Sequence, residues 1–301
     1  MKIWNQKASD MKYSKYLLGM GTLVTVLLFT AGCGQMTPQS HSSDLEKAKI
    51  VSLNGTITEI LVELGLEDQI VGVDVSSTYP VSMLEKPKVS NNRSVSAEGV
   101  LALGPTLIIG TAADLKEETL EQLNQTGVKT LVFDYEFGVE GSKSLIRAVA
   151  DSLHLSLKAD SILQALDTEL QHVGGFQHAA DKPRVLFIYA RGAGSMMVGG
   201  KDTQVDEMIR LAGGVNVASD ITAYKPLTAE ALVAYNPQII LLFDSGMSSL
   251  GNMEGILELP GVRDTDAGRN RKIVHMDGQL LTGFSPRVAQ AILELNQKIT
   301  E

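Results

Sequence analysis

Apolar runs and helical patterns alternate along the first half of the chain. Ile50–Leu53 and Ile70–Val75 are apolar runs typical of buried strands, and Thr56–Leu64 between them is predicted to be a helix that Gly65 closes. The next predicted elements are helix 96–103, strand 106–110, helix 115–125 and strand 129–133. This order predicts a mostly parallel sheet flanked by helices.

The middle of the chain carries two consecutive helical patterns, Gly141–Leu153 and Leu157–His172, with no strand between them. In the second, apolar residues recur three and four positions apart, and Gly174 and Gly175 follow it. A helix of about 20 residues is about 30 Å long, which suits a rigid connection between two lobes. We therefore expect a bridging helix within residues 156–180.

The second half returns to alternating strands and helices. Its predicted elements are strand 184–189, helix 204–212, helix 228–235, strand 238–243, a short helix near 253–258, strand 272–276 and a last helix from Pro286 to about Lys298. The pattern predicts a second α/β unit.

One segment occurs twice in similar form. The segment 96–109, SAEGVLALGPTLII, returns 132 residues later as TAEALVAYNPQIIL over 228–241. Each copy has a hydroxyl residue at the helix start, a glutamate in the first turn, a proline after the helix and then a buried strand. A weaker echo relates 127–134 to 270–277. The repeat predicts two similar lobes, 48–155 and 181–301, with a ligand-binding cleft between them.

The first 32 residues have the features of an export signal. Lysines precede an apolar run over 16–29, small residues follow, and Cys33 comes next. Thr30-Ala31-Gly32-Cys33 resembles the bacterial lipoprotein processing box, although leucine is usual in place of Thr30. The resemblance implies lipidation (palmitate) at Cys33, with residues 33–47 as a flexible tether outside the membrane. A membrane-spanning helix and an incidental thiol are the alternatives.

The net charge and the cysteine count argue against some classes of partner and site. The formal net charge is −9, and because the first 32 residues carry +3, the remainder carries −12, which argues against a nucleic-acid partner. The single cysteine excludes an intramolecular disulfide and a multi-cysteine metal site.

The motifs of the body, residues 48–299, resemble one family. A lipid-anchored acidic chain with two Rossmann-like lobes and a bridging helix is similar to class III solute-binding proteins of ABC importers. Six motifs resemble those of heme-binding proteins of bacterial heme importers: VDVSSTYP at 73–80, SVSAEGVLAL at 94–103, YARGAGS at 189–195, LAGGVN at 211–216, YKPLTAE at 224–230 and GFSPR at 283–287. The resemblance implies an α/β fold, heme as the transported ligand, iron transport and a permease partner. It implies no enzyme activity, and we expect a monomer.

The resemblance assigns the iron ligand to Tyr79, which follows a predicted strand and precedes a proline. Ferric iron is a hard cation that suits an anionic oxygen donor, and tyrosinate is a known axial ligand of heme. A guanidinium nearby would favour the phenolate. The alternative is a loop tyrosine that packs on its own lobe.

Further candidates follow from heme chemistry and from the resemblance. The propionates need cations, and the candidates in the motifs are Arg93, Arg191, Lys225 and Arg287. Met196 or its neighbour Met197 is a candidate for the porphyrin face, and Tyr224 for a contact from the second lobe. Core packing is the alternative for the methionines, and salt bridges within a lobe are the alternative for the cations.

The two glutamates of the repeat, Glu98 and Glu230, match the positions at which binding proteins of this class contact arginines of their permease. The alternative is that each only complements its helix dipole, which is compatible with docking. His275 lies in a strand pattern and is predicted to be a buried core histidine.

Two rival functions remain. A ferric siderophore or a corrinoid is an alternative ligand in the same class, although corrinoid binders favour tryptophan in the cleft, and the only tryptophan here, Trp4, lies in the signal. An anchored enzyme is the other rival. Arg191-Gly192-Ala193-Gly194 follows a strand as in dinucleotide-binding folds, but Met197 stands where the third glycine is required.

Overall fold

The computed structural model of the chain describes residues 45–91, 94–134, 136–178 and 180–301. The predicted signal at 1–32, Cys33, most of the predicted tether and Arg93 lie outside these ranges. Within them the protein is an α/β structure of two lobes, each built on its own sheet.

The first lobe contains a parallel four-stranded sheet in the order β2-β1-β5-β6. Its strands are β1 (Ile50–Ser52), β2 (Ile70–Val73), β5 (Leu107–Thr111) and β6 (Lys129–Phe133), and β3 (Ser90–Asn91) pairs with β4 (Ser94–Val95) beside them. Its helices are α1 (Gly55–Glu63), α2 (Ala97–Leu101) and α3 (Glu117–Gln125).

The second lobe contains a mixed sheet in the order β10-β8-β7-β11-β12, with β9 also paired to β7. Its strands are β7 (Arg184–Ala190), β8 (Met196–Gly199), β9 (Val215–Asn216), β10 (Tyr224–Pro226), β11 (Ile239–Phe243) and β12 (Ile273–Met276). Strand β8 is antiparallel to both of its neighbours, β7 and β10, whereas β7, β11 and β12 run parallel to one another. Its helices are α6 (Gln204–Leu211), α7 (Ala229–Tyr235), α8 (Asp244–Ser249), α9 (Asn252–Leu257), α10 (Asp266–Arg269), α11 (Gly278–Thr282) and α12 (Val288–Thr300).

The repeated segment forms the same helix–strand unit in both lobes. Ser96 Oγ accepts a hydrogen bond from the Gly99 amide at 3.1 Å, and Thr228 Oγ1 accepts one from the Ala231 amide at 3.2 Å. Strand β5 then lies between β1 and β6, as β11 lies between β7 and β12. The weaker echo corresponds to β6 and β12.

Two consecutive helices, α4 (Val139–Ser152) and α5 (Ser156–Leu170), follow the last strand of the first sheet and precede the first strand of the second sheet in the sequence. Helix α5 has 15 residues and ends at Leu170, two residues before the end predicted at His172. Lys158 Nζ donates to the Leu64 carbonyl at 2.6 Å, so α5 is tied to the end of α1.

The largest apolar core contains residues of both lobes. It joins Ile57 of α1 and Ile146 of α4 to Val185 of β7 and Leu295 of α12, all fully or almost fully buried. Each lobe has a smaller cluster on the outer face of its sheet. The lobes therefore share packed apolar surface beneath the cleft. None of the helices in the described ranges has the length and apolar character needed to cross a bilayer.

Candidate functional site

A cavity of about 830 Å³ lies between the lobes. It is bounded by residues that follow the carboxyl ends of parallel strands, the usual place for ligands in open α/β sheets. Val75, Ser76 and Thr78 come from the loop after β2. The second lobe contributes Tyr189, Ala190, Arg191, Phe243, Asp244, Ser245, Ser249, Asp277, Gly278, Gln279 and Thr282.

Tyr79 lies on this loop, at its junction with Pro80, and its side chain is 41% exposed. The loop is held at both ends by polar contacts. Ser77 Oγ donates to Asp74 Oδ1 at 2.5 Å, and Lys88 Nζ donates to the carbonyls of Ser77 and Met83 at 3.0 Å each. Burial lowers the pKa of Lys88, and the nearby Asp74 carboxylate partly offsets this. The backbone on either side of Tyr79 is thus fixed while its ring stays accessible.

Arg287 of the second lobe lies against the Tyr79 ring. Its guanidinium carbon is 3.6 Å from the ring centroid, a close cation–π contact. Its Nε and one terminal nitrogen donate to the two carboxylate oxygens of Glu59, at 2.7 Å each. Burial acts to lower the pKa of Arg287, but hydrogen bonding to Glu59 and the charge of that carboxylate outweigh burial and raise it. The cation beside Tyr79 is therefore permanent.

The second lobe presents an aromatic wall to the cleft, formed by Tyr189, Tyr224 and Phe243 over Phe187. A cavity of about 410 Å³ lies against it, lined by Tyr189, Met197, Gln204, Tyr224, Phe243 and Thr282. Burial, with a smaller contribution from Tyr189, raises the pKa of Tyr224 to about 12. Tyr224 is thus a neutral phenol at ordinary pH and serves as an apolar surface with a hydroxyl.

Arg191 lies at the mouth of the cleft, and its Nε donates to the Tyr189 hydroxyl at 2.5 Å. The guanidinium carbon is also 5.4 Å from the Tyr189 ring centroid. Two tyrosines thus have an arginine partner: Tyr79 of the first lobe contacts Arg287 of the second, and Tyr189 contacts Arg191, both of which line the cleft.

The structure separates two neighbouring candidates by strand alternation. Met196 pairs with Ala190 and packs against the outer apolar cluster of the second lobe, whereas Met197 pairs with Tyr189 and lines the aromatic cavity. Lys225 lies in edge strand β10, with an exposed side chain, next to Tyr224. The strand alternation places Lys225 on the opposite sheet face from Tyr224.

Glu98 and Glu230 are both exposed in the first turns of α2 and α7. A hydrogen bond from its own backbone, and then one from the Thr228 hydroxyl, lower the pKa of Glu230. The repeat thus presents one exposed carboxylate on each lobe.

His275 differs from its prediction. Its side chain is 47% exposed, and Nδ1 lies 2.6 Å from Asp244 Oδ1, so the prediction of a buried core histidine is wrong. Strand β12 is the edge strand of the sheet, which leaves the side chain open to solvent.

Sequence reasoning missed two residues of the site. Tyr189 stands two positions before Arg191 at the end of a strand, a spacing that brings both to one strand end. Glu59 is one of two glutamates, with Glu63, in the largely apolar stretch ITEILVEL, and a glutamate that is buried there would need a cationic partner. That signal predicts an ion pair but does not identify Arg287.

Comparison with curated proteins gives two kinds of relative. The chain is 27% identical to an uncharacterized ABC transporter substrate-binding lipoprotein, YvrC, of Bacillus subtilis, covering 92% of this chain and 95% of YvrC. It is 25% identical to the vitamin B12-binding protein of Vibrio parahaemolyticus, covering 82% of this chain and 87% of that protein.

Comparison with solved structures gives heme-binding proteins. The periplasmic heme-binding protein RhuT of Roseiflexus sp. RS-1, in its apo form, superimposes with a TM-score of 0.81 at 38% identity, covering 84% of this chain and 98% of RhuT. The periplasmic heme-binding protein BhuT, in complex with two hemes, gives a TM-score of 0.79 at 32% identity, covering 84% of this chain and 97% of BhuT.

The sequence profile of the periplasmic binding protein family matches residues 50–280, which span both sheets and the cleft between them. The two-lobed fold matches class III of these proteins, whose members bind solutes and are not enzymes. This chain therefore belongs to the periplasmic binding protein family.

Proposed function

We propose that this protein captures heme in the cleft between its lobes, outside the membrane, and delivers it to the permease of an ABC importer. The observation that carries the proposal is the partly exposed Tyr79 side chain with the Arg287 guanidinium carbon 3.6 Å from its ring centroid. An oxygen donor beside a fixed positive charge suits Fe(III), which favours anionic oxygen ligands.

The opposite side of the cleft suits the rest of the ligand. Tyr189, Tyr224 and Phe243 offer flat apolar surface to a porphyrin, and Met197 adds a polarizable side chain. Of the two neighbouring candidates for the porphyrin face, this proposal therefore takes Met197 and not Met196. On the second lobe, Tyr189 lines the cleft, and its hydroxyl oxygen accepts a hydrogen bond from Arg191. In this proposal that oxygen is the candidate iron ligand of the second lobe.

The cations divide into two roles. Arg287 is committed to Glu59 and to the Tyr79 ring, so we assign it to the iron ligand and not to a propionate. Arg191 is exposed at the cleft mouth and is our main candidate for a propionate. Lys225 is an exposed cation on the sheet face opposite Tyr224, so Lys225 and Arg93 both remain predictions only.

The relatives support a role as the binding protein of an ABC importer, and their names give two ligand classes, heme and vitamin B12. RhuT and BhuT bind heme, as their names state, and they are more similar to this chain than the vitamin B12-binding relative is. That relative makes a corrinoid the second candidate, and a ferric siderophore is the third. The paired tyrosine–arginine arrangement favours heme, because a phenolate is a ligand for ferric iron.

Hemin titration of the full chain, purified in detergent, tests the proposal. We expect a Soret shift with the bands of ferric tyrosinate, lost or strongly weakened in Tyr79→Phe. Tyr235→Phe is the matched control, since Tyr235 bonds Asp220 on the second lobe and lies outside the cleft. Cyanocobalamin and a ferric siderophore are titrated in parallel. Failure of hemin to bind, or tighter binding of either competitor, would contradict heme as the cargo. The titration also counts one or two hemes.

The proposal includes attachment to the outer side of the membrane through a lipid on Cys33, which YvrC, named a lipoprotein, supports. Metabolic labelling with palmitate should mark the wild-type chain in membranes and not Cys33→Ser. Labelling of Cys33→Ser, or none in the wild type, would exclude lipidation at this residue.

A further inference from the structure

We propose that Glu59 is a positioning residue for the iron ligand: it holds the Arg287 guanidinium over the ring of Tyr79. The inference rests on the proposed function, because it assigns a role toward the tyrosine that would bind iron. Glu59 itself does not contact the ligand in this proposal and acts through Arg287.

Glu59 has the geometry of a fixed support. Its side chain is 2% exposed, and both carboxylate oxygens accept from Arg287 at 2.7 Å. Ser285 Oγ donates to Glu59 Oε2, also at 2.7 Å. A carboxylate that accepts three short hydrogen bonds in a buried place has little freedom to rotate. The guanidinium is therefore held in one orientation.

The support joins the two lobes. Glu59 lies on α1 of the first lobe, whereas Ser285 and Arg287 lie on the segment before α12 of the second. That segment is further fixed to the first lobe, since Thr56 Oγ1 donates to the Gly283 carbonyl at 2.6 Å and Ser142 Oγ donates to the Ser285 carbonyl at 3.2 Å. The position of the cation over Tyr79 thus depends on how the lobes are joined.

The charge beside Tyr79 has a direct consequence for an iron-bound phenolate. A cation close to the ring stabilises the electrons of the anionic donor, so the phenolate-to-iron charge-transfer band lies at higher energy. It also favours retention of the anionic ligand. Glutamine at 59 would have one acceptor oxygen and an amide that faces the donors of Arg287, so the guanidinium would lose its fixed place.

The test compares Glu59→Gln, Arg287→Met and the double variant in the hemin-loaded full chain. We expect both single variants to shift the charge-transfer band to longer wavelength and to release hemin faster, by on the order of tenfold for Arg287→Met. If Glu59 acts through Arg287, the double variant should match Arg287→Met in both measurements. The double variant also removes both charges together, so it retains no unpaired buried charge and keeps the test possible if a single variant fails to fold.

Thr56→Val is the control for loosening of the lobes, since it removes two interlobe hydrogen bonds that do not involve Arg287, one to the Gly283 carbonyl and one from the Gln279 amide. It should lower stability and leave the band in place. An unshifted band in Glu59→Gln, a shift of equal size in Thr56→Val, or additive effects in the double variant would overturn the positioning role. If Tyr79→Phe keeps the tyrosinate band, Tyr79 is not the ligand, and the proposed ligation falls together with this inference.

Discussion

Glu59 and Arg287 stand 228 residues apart in the chain and form a bidentate ion pair between the lobes. Glu59 is buried and Arg287 is partly buried, and an apolar core continues from one lobe into the other. A cleft whose two sides are joined in this way is largely formed before the ligand arrives. Preorganisation of this kind lowers the entropy cost of binding.

The ion pair should show strong non-additivity in stability. Glu59→Ala leaves the guanidinium partly buried without its partner, and we expect the free energy of unfolding to fall by about 3–5 kcal/mol. Glu59→Leu combined with Arg287→Met removes both charges and should cost less than the single change. Urea unfolding of the heme-free chain measures Glu59→Ala, the double variant and its two component single variants, Glu59→Leu and Arg287→Met. A double variant as unstable as the sum of the single variants would contradict a coupled pair.

Tyr224 should titrate later than an ordinary tyrosine. Burial raises its pKa to about 12 from an ordinary value of 10.0, so the folded state retains its proton when the unfolded state has lost it. This contribution to stability is complete below pH 10 and is lost as the pH rises through about 12. Absorbance titration of the phenolate in the folded protein should show a late step that is missing in Tyr224→Phe. A late step that persists in this variant would contradict the assignment.

The repeat and the strand–helix order allowed the two α/β lobes to be predicted, because apolar spacing and helix caps are local properties. The segments around Ser96 and Thr228 form the same capped helix and central strand in both lobes. The end of α5 was less predictable. Apolar residues continue to Val173 at helical spacing, yet the helix stops at Leu170 before the two glycines.

The side chains of the site were predicted less completely, since their roles depend on tertiary contacts. Tyr79 is a candidate from its motif, but the contact of Arg287 with the Tyr79 ring depends on Glu59, which is distant in sequence from Arg287. The choice between Met196 and Met197 depended on the register of β8, because a shift of one residue exchanges the faces of a strand.

Met196 and Met197, on opposite faces of strand β8, give a matched pair of variants. Met197→Ala opens the aromatic cavity and should weaken hemin binding with little change in unfolding. Met196→Ala removes packing from the outer cluster of the second lobe and should cost about 1–3 kcal/mol in unfolding free energy while hemin affinity is retained. Hemin titration and urea unfolding of both variants separate the effects. The reverse result would mean that the face of β8 toward the ligand is wrongly assigned.

The exposed glutamates of the repeat should act in delivery and not in capture. Glu98 and Glu230 occupy the same place on the two lobes, each in the first turn of a capped helix, and neither lines the cavity between the lobes. A pair of carboxylates at related positions suits recognition by cationic side chains of a two-subunit permease. We expect Glu98→Ala combined with Glu230→Ala to abolish heme transport in cells while the purified protein binds hemin with unchanged affinity.

The control for this prediction removes the same charge elsewhere. Glu118 in the first turn of α3 and Glu258 after α9 are also exposed, one on each lobe. Glu118→Ala combined with Glu258→Ala should leave transport near the wild-type rate. Since the two double variants change net charge equally, a general electrostatic attraction to the membrane or permease would affect them alike. Transport that survives loss of Glu98 and Glu230, or that falls equally in both double variants, would exclude specific docking through the repeated glutamates.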